Sequence, residues 1–188
     1  MTVTVRDATE ADFESLIKLD LTYTVGDRYL ELERSGSVPE LTYSMRWRTG
    51  TARERVYDTL TVNGLRDALQ KQADAFFVAE VNGAIAGYEM IVLQQPHHAA
   101  AQITDLAVHK AARRCGVGRA LVDAAATWAR DRDLRAVWSS PRGHASATID
   151  FYLSVGFRMS GLSDRWNTNT DDAGDGQQTI YMYLELGY

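Results

Sequence analysis

The chain has 188 residues, of which 45% are hydrophobic and 24% charged, and it carries a formal charge of −5 at pH 7. That length allows one domain with a substantial core and is short for two domains. No apolar stretch reaches the roughly 20 residues that a membrane-spanning helix needs, and the N-terminal residues lack the pattern of a signal peptide, so we expect no membrane partner. The only cysteine, Cys115, excludes an internal disulfide and suits a cytoplasmic protein. The acidic balance argues against a nucleic-acid partner and is compatible with a cationic substrate.

The first quarter of the chain predicts a strand, a helix and a second strand. Residues 3–6 alternate between apolar and polar side chains, as a short strand does. Thr9 and Asp12 then form a variant of the capping-box pattern, and apolar residues at helical spacing follow them. We therefore predict a first helix that ends near Tyr23. Residues 41–48 alternate throughout and predict a strand with one solvated face.

The middle and C-terminal parts predict further strands and helices. Asn82 and Gly83 lie between two β-rich segments, and both favour the positive φ of a tight hairpin turn. The strand over 101–108 is expected to lie beside this hairpin. The other predicted elements are helices over 63–74, 118–131 and 145–155, strands over 135–139, 157–162 and 179–186, and a mobile loop over 167–178. This order predicts a single α/β domain over residues 1–188 with a mixed sheet.

A glycine loop between a strand and a helix is the most informative feature of the sequence. The strand over 103–108 leads through a basic segment into Gly116-Val117-Gly118, and an amphipathic helix begins at once. The first N–H groups of a helix have no partner within it, and the helix dipole favours an anion there. A dinucleotide-binding fingerprint needs a shorter turn and a third small residue, and a P-loop needs Gly-Lys-Ser/Thr, so neither fits.

Two motifs, in this order along the chain, resemble the GNAT N-acetyltransferase superfamily. Arg113-x-x-Gly116-x-Gly118, after a strand that ends in Leu-x-Val, is similar to its coenzyme A signature. Ile149-x-Phe151-Tyr152-x-x-x-Gly156-Phe157 is similar to its second signature, a tyrosine-bearing helix that ends in Gly-Phe. The resemblance implies an α/β fold with a mixed, mostly antiparallel central sheet of about seven strands, flanked by about four helices. It also implies acetyl-CoA as co-substrate and no metal.

The resemblance implies a role for each part of these motifs. The backbone of Leu106, Ala107 and Val108 would contact the pantetheine arm and the acetyl carbonyl. Tyr152 would protonate the departing coenzyme A thiolate, since a phenol remains protonated at neutral pH. The pyrophosphate would be held by the loop and the first helical turn, that is by Arg113, Arg114, Cys115, Gly116, Val117, Gly118, Arg119 and Ala120. Backbone donors hold an anion without ordering side chains, and glycine lets a phosphate approach closely.

The group that removes the proton from the acceptor amine is open at this stage. An amine is protonated at neutral pH and must lose a proton before it attacks a thioester. Asp105 on the central strand is the first candidate, followed by Glu89 and Glu80 on the neighbouring hairpin, with a water relay as an alternative. Other family members carry a glutamate three positions earlier, where this chain has the uncharged Gln102. Strand alternation puts Asp105 on the opposite face from its two neighbours unless a bulge intervenes.

Within the superfamily, the chain resembles the streptothricin acetyltransferases, which acetylate an amino group of a cationic antibiotic. The similar segments are 116–121, 128–132, 156–162 and 175–182, and the chain departs from the family at 143–146, where an asparagine usually precedes the helix. The resemblance implies acyl-CoA-dependent transfer of an acetyl group to a primary amine, with a small cationic acceptor as the first hypothesis. Acetylation of protein N-terminal α-amines and a non-catalytic acyl-CoA-binding sensor are the alternatives.

Two further expectations concern partners. A pocket for a cationic acceptor needs acidic side chains, and the candidates are Asp27, Glu31, Glu33, Asp171 and Asp172. The aromatic segment Tyr181-Met182-Tyr183 could pair two copies of the chain as a homodimer or belong to the core.

Overall fold

A computed structural model describes residues 2–57, 60–93, 99–163 and 178–187. Within these residues the chain forms four α-helices and eleven strands. In chain order they are β1 (Val3–Asp7), α1 (Phe13–Leu16), β2 (Thr22–Val25), β3 (Arg28–Ser37), β4 (Glu40–Thr49), β5 (Arg53–Val56), α2 (Val62–Asp67), β6 (Ala75–Val81), β7 (Ala84–Leu93), β8 (Ala100–Val108), α3 (Val117–Arg130), β9 (Ala136–Ser139), α4 (Ser146–Ser154), β10 (Arg158–Ser163) and β11 (Thr179–Glu185).

Seven of these strands form one sheet, in the order β1-β6-β7-β8-β9-β11-β10. The pairs from β1 to β8 are antiparallel, whereas β8 and β9 run parallel. This mostly antiparallel sheet with four helices confirms the predicted fold class. No described helix has the length and apolar character needed to span a membrane.

The described chain divides into two compact units. The first unit comprises Met1–Tyr23, Val56–Ser139 and Tyr183–Tyr188, and the second comprises Thr24–Arg55 and Ser140–Met182. The expectation of one domain stays a prediction.

The first unit buries both faces of its strands. We call one face the α1/α2 face, because Phe13, Leu16, Leu65 and Ala68 of the first two helices and the turn after α2 pack against Phe76, Val78, Tyr88, Met90 and Ala107 there. The other is the α3 face, where Val117 and Leu121 of α3 pack against Ala79, Val81 and Ala86. Each fully buried Leu or Phe side chain contributes roughly 1.5–3 kcal/mol relative to an exposed one. The two faces together therefore fix the position of the strands between them.

The N-terminal helix is much shorter than the predicted one, and the prediction that it ends near Tyr23 is wrong. A 3₁₀ turn leads into α1, which ends at Leu16, and Tyr23 lies in β2. The Asp20 carboxylate accepts a hydrogen bond of 3.0 Å from the Thr22 N–H, a side-chain turn that competes with the helix. The β-branched and aromatic residues that follow favour a strand.

The second unit contains a long hairpin of β3 and β4. Leu30 pairs with Trp47, and Leu32 with Met45, so one face of the hairpin is apolar. The opposite face carries ion pairs between Glu31 and Arg48 and between Glu33 and Arg46. The predicted strand over 41–48 is confirmed as the core of β4.

Three further predictions concern a hairpin turn, the aromatic segment of β11 and a loop near the C-terminus. Asn82 and Gly83 have φ values of 53° and 80°, which confirms the predicted hairpin turn between β6 and β7. Met182 in β11 is fully buried and Tyr183 stacks on Trp138 at a centroid distance of 5.7 Å, so this segment contributes to the core. The homodimer stays a prediction. Asp171, Asp172 and all of the predicted loop over 167–178 except Gln178 lie outside the described residues.

Candidate active site

Strand β8 contains a β-bulge next to the candidate base. On β7, Met90 pairs with Asp105, but its neighbour Ile91 pairs with Ile103. One residue of β8, Thr104, is therefore extra, and its hydroxyl donates a hydrogen bond of 3.3 Å to the Met90 carbonyl. A bulge of this kind reverses the alternation of side chains beyond it.

The bulge places Gln102 and Asp105 on the same face of the sheet. Gln102 pairs with Val92 and Asp105 with Met90, and these two residues of β7 are two positions apart. Met90 belongs to the core of the α1/α2 face. The Asp105 carboxyl therefore lies on the same face as the position that carries a glutamate in other family members.

The second half of β8 has an open edge toward β9. The parallel pairing of the two strands covers only Ala100 to Gln102, and just beyond it the Ser139 hydroxyl donates 3.2 Å to the Ile103 carbonyl. In the described part of the chain, residues 106–108 pair with β7 alone. Unpaired backbone groups at a strand edge can bind an extended ligand by hydrogen bonds.

The glycine loop follows directly at the end of this strand. Helix α3 begins at Val117, one residue before the predicted start, and Gly116 precedes it with a φ of 87°. The Arg113 Nε donates 3.1 Å to the Val108 carbonyl and so holds the loop on the strand. A Cβ built on Gly116 would have no atom within 4 Å. Among the described residues the space beside Gly116 is thus open to a phosphate, which the dipole of the helix favours.

Gly87 on β7 lets α3 begin this close to the sheet. A Cβ at Gly87 would lie 2.7 Å from the Ala107 carbonyl oxygen and 3.1 Å from Cγ1 of Val117. The sequence did not identify Gly87 as a site residue, because a glycine within a strand indicates a close approach without showing which element approaches.

Tyr57 is a second residue of the candidate site that was not predicted from the sequence. It directly follows β5, and its hydroxyl donates a hydrogen bond of 2.5 Å to Oδ1 of Asp105. The Tyr57 ring is half-buried against the core of the α1/α2 face. No local sequence signal joins two residues that lie 48 positions apart.

The two glutamates named as further candidates have different surroundings. Glu80 on β6 forms an ion pair of 2.6 Å with Arg6. Glu89 is completely buried, and its cross-strand neighbours Phe77 and Leu106 belong to the α3 face. Within the described residues neither Glu89 oxygen has a hydrogen-bond partner, and burial raises the pKa of this carboxyl well above its usual value. Asp105 alone of the three combines the α1/α2 face with a hydrogen bond to a phenol.

Tyr152 lies in the second unit, on the buried side of α4. It is 4% exposed and its ring centroid lies 5.3 Å from that of Phe151 and 4.8 Å from that of Phe157. Gly156 ends the helix with a φ of 101°, as predicted from its position. The second motif thus forms the helix and the glycine stop that its sequence suggested.

The segment before α4, where the chain departs from the family pattern, holds the base of the β3–β4 hairpin. The carbonyls of Gly143 and His144 accept hydrogen bonds from the N–H groups of Leu30 and Gly26, at 3.0 and 3.1 Å. The Ser146 hydroxyl donates 3.0 Å to the Asp27 carboxylate. Asp27, like the ion-paired Glu31 and Glu33, therefore already has a partner within the second unit.

Comparison with solved structures finds the same fold in several acetyltransferases. The nourseothricin acetyltransferase structure matches with a TM-score of 0.79 and 22% identity, over 100% of both chains. A candidate streptothricin acetyltransferase from Bacillus anthracis str. Ames, solved in complex with acetyl coenzyme A, matches with a TM-score of 0.76 and 22% identity, over 98% of this chain and 99% of that one. The ribosomal-protein-S18-alanine N-acetyltransferase from Escherichia coli matches with 0.64 and 16%, over 100% and 96%. Comparison with curated proteins finds no match.

The sequence profile of the acetyltransferase (GNAT) family matches residues 40–157, more than half of the chain. That range contains β8 with its open edge, the glycine loop, the start of α3 and the Tyr152 helix. As far as the described residues show, the space beside Gly116 and the edge of 106–108, which pairs with β7 alone, fit the phosphates and the extended arm of the cofactor that this family uses. The chain therefore belongs to the GNAT acetyltransferase family and is an N-acetyltransferase with acetyl-CoA as its co-substrate.

Proposed function

We propose that this enzyme acetylates the primary amine of a small cationic acceptor and that Asp105 binds and deprotonates that amine. The observation that carries the proposal is the bulge at Thr104, which places the Asp105 carboxylate on the α1/α2 face of β8. An alkyl amine with a pKa near that of lysine, about 10.4, is a cation at neutral pH. A carboxylate beside the acetyl-binding strand both attracts this cation and accepts its proton.

The alternative bases are less suitable. Glu80 is held in its ion pair with Arg6. Glu89 is completely buried on the other face, and the same burial that raises the pKa of its carboxyl closes it to an acceptor amine. Gln102 shares the face of Asp105 but carries no charge. These three observations support Asp105 as the base.

A protonated acceptor loses two protons from its nitrogen, one before the attack and one as the amide forms, and the departing sulfur gains one. The amine nitrogen forms a bond to the acetyl carbon while the bond from that carbon to sulfur breaks. In our proposal Asp105 takes the proton that the nitrogen loses before the attack, and the Tyr152 phenol gives a proton to the departing sulfur. The second proton leaves the nitrogen as the amide forms and replaces the one that the phenol gave, so that one proton in all passes from Asp105 to the solvent. Acetyl-CoA supplies the activated acetyl group; the backbone of residues 106–108 holds its extended arm, and residues 113–120 hold its pyrophosphate.

The net charge of the chain and the names of the similar enzymes support the proposed acceptor class. The first acceptors to test are nourseothricin and streptothricin, after which the enzymes of two of those structures are named. The test follows thiol release from acetyl-CoA with these antibiotics, simple polyamines and a panel of peptides. We expect release with the antibiotics or polyamines. Release with peptides alone would indicate a protein N-terminal acetyltransferase, and tight acetyl-CoA binding without any release would indicate a sensor.

The Asp105→Asn variant tests the base. It keeps the size of the side chain but removes the proton acceptor, so kcat/KM for the amine should fall on the order of 10²–10⁴-fold while acetyl-CoA affinity stays the same. Asp131→Asn, which changes an exposed carboxyl after the C-terminus of α3, is the matched control. Unchanged turnover in Asp105→Asn would exclude Asp105 as the base.

A further inference from the structure

The contact between Tyr57 and Asp105 joins the strand of the acetyl site to a distant segment of the first unit. The Tyr57 hydroxyl donates to Oδ1 of Asp105 at 2.5 Å. Among the described residues Oδ2 accepts no hydrogen bond from the protein. The carboxylate thus has one oxygen fixed by a phenol and one oxygen available to a ligand.

Tyr57 is itself held on two sides. Its N–H donates 3.3 Å to the carbonyl of Leu21, a residue that is 5% exposed. Its ring meets the ring of Tyr23 edge to face, with 6.3 Å between the centroids and an interplanar angle of 66°. Such an edge-to-face pair stabilises the ring arrangement by about 0.5–1.5 kcal/mol. The backbone bond and the ring contact together hold the phenol beside Asp105.

The hydrogen bond from Tyr57 affects the orientation of the Asp105 carboxylate, which the backbone of Asp105 does not fix. The torsion that turns an aspartate carboxylate is broad and permits many orientations. A hydrogen bond to one oxygen restricts that torsion and aims the other oxygen in one direction. Reacting groups that are misplaced by about 1 Å can lose on the order of 10²-fold in rate. Orientation of this carboxylate therefore has a direct effect on the rate of amine attack.

We propose that Tyr57 is a positioning residue that orients the Asp105 carboxylate toward the acceptor amine. The inference rests on the proposed role of Asp105 as the base. Tyr57 acts through Asp105 and contributes nothing separate to the reaction. Its hydroxyl should therefore matter only while the carboxylate is present.

A double-mutant cycle tests this dependence, with Tyr57→Phe, Asp105→Asn and the combined variant. Tyr57→Phe keeps the ring and removes only the hydroxyl. We expect it to lower kcat for the amine about tenfold, with KM for acetyl-CoA and the melting temperature nearly unchanged. The combined variant should be no slower than Asp105→Asn alone. Tyr43→Phe, which removes the hydroxyl of an exposed tyrosine in β4, is the control and should behave as the wild type.

The outcomes separate the two proposals. If Asp105→Asn is slow and Tyr57→Phe has wild-type kcat, Tyr57 does not position the carboxylate and the inference is overturned. Losses that multiply in the combined variant also overturn it, because Tyr57 would then act without Asp105. If Asp105→Asn itself has wild-type turnover, the proposed base is wrong and the inference fails with it.

Discussion

The Arg6 guanidinium holds the Asp12 carboxylate with two hydrogen bonds, of 2.8 and 2.7 Å, at the start of the first helical segment. The Thr9 N–H and hydroxyl donate to the same carboxylate at 2.8 and 3.0 Å. The hydrogen bonds from Arg6, with those from Thr9, lower the pKa of Asp12 from 3.8 to about 2. Strand β1 is thereby tied to the helix that covers the α1/α2 face.

Because of this ion pair, we expect the folded protein to lose stability in acid. A depressed folded-state pKa contributes stability that is present above the unfolded value and is lost as the pH falls from about 4 toward 2. With an allowance for solvent around the half-exposed Arg6, we expect Asp12→Asn to lower the free energy of unfolding by about 1–2 kcal/mol at neutral pH. Urea unfolding should show this difference shrink toward pH 2. A difference that does not change with pH would contradict the assignment.

For Glu89 we expect the opposite dependence of stability on pH. Burial raises the pKa of its carboxyl, so the folded state keeps a proton that the unfolded state releases. The stability from this group is complete below about pH 4.5 and is lost as the pH rises through the folded-state pKa. Glu89→Gln keeps the shape and removes the ionisable group, so it should be more stable than the wild type at about pH 9 and nearly equal to it at about pH 4.

The same variant separates Glu89 from the chemistry. Because Asp105 lies on the other face of the sheet, Glu89→Gln should retain kcat within about threefold of the wild type at neutral pH. A loss as large as that in Asp105→Asn would instead make Glu89 the base.

Local signals predicted most of the sheet and both motif helices, because each of these depends on residues close together in sequence. Asn82-Gly83 specifies its turn through two positive φ values, and Gly156 ends α4 in the same way. The end of the first helix was predicted wrongly because Phe13 and Leu21 have helical spacing. Leu21 is buried, but it lies in a non-helical segment. Spacing alone does not distinguish a buried residue of a helix from a buried residue of a non-helical segment that packs in the same core.

The decisive features of the candidate site could not be predicted from sequence. Nothing in the sequence of β8 indicates the bulge at Thr104. Unless the bulge is known, the face of the sheet on which Asp105 lies cannot be determined. The bond from Tyr57 depends on how the segment after β5 packs. The structure of the glycine loop was predictable because a strand end, a glycine and a helix start follow one another closely in the sequence.

Gly116 provides a direct test of cofactor binding. Gly116→Glu places a negative charge at the start of α3, where the phosphates are expected, and should weaken acetyl-CoA binding at least about 100-fold by calorimetry. Gly83→Glu is the matched control, because Gly83 also has a positive φ, of 80°, and open space around it, but lies in the β6–β7 turn. Both variants should lose a similar amount of stability, on the order of 1 kcal/mol. Intact binding in Gly116→Glu would exclude the loop as the pyrophosphate site.

A substitution at Gly87 tests whether the close packing of α3 on the sheet is needed for the proposed phosphate site. The added Cβ of Gly87→Ala would lie 2.7 Å from the Ala107 carbonyl oxygen, so either β8 or the first turn of α3 must move. Such overpacking typically costs about 1–3 kcal/mol, and we expect acetyl-CoA affinity to fall together with stability. Gly161→Ala is the control, since its nearest neighbour would be a ring atom of Tyr181 at 3.6 Å, an ordinary contact. If Gly87→Ala bound acetyl-CoA as tightly as the wild type after correction for the folded fraction, the start of α3 would tolerate displacement, and its close approach to β7 would be a matter of core packing alone.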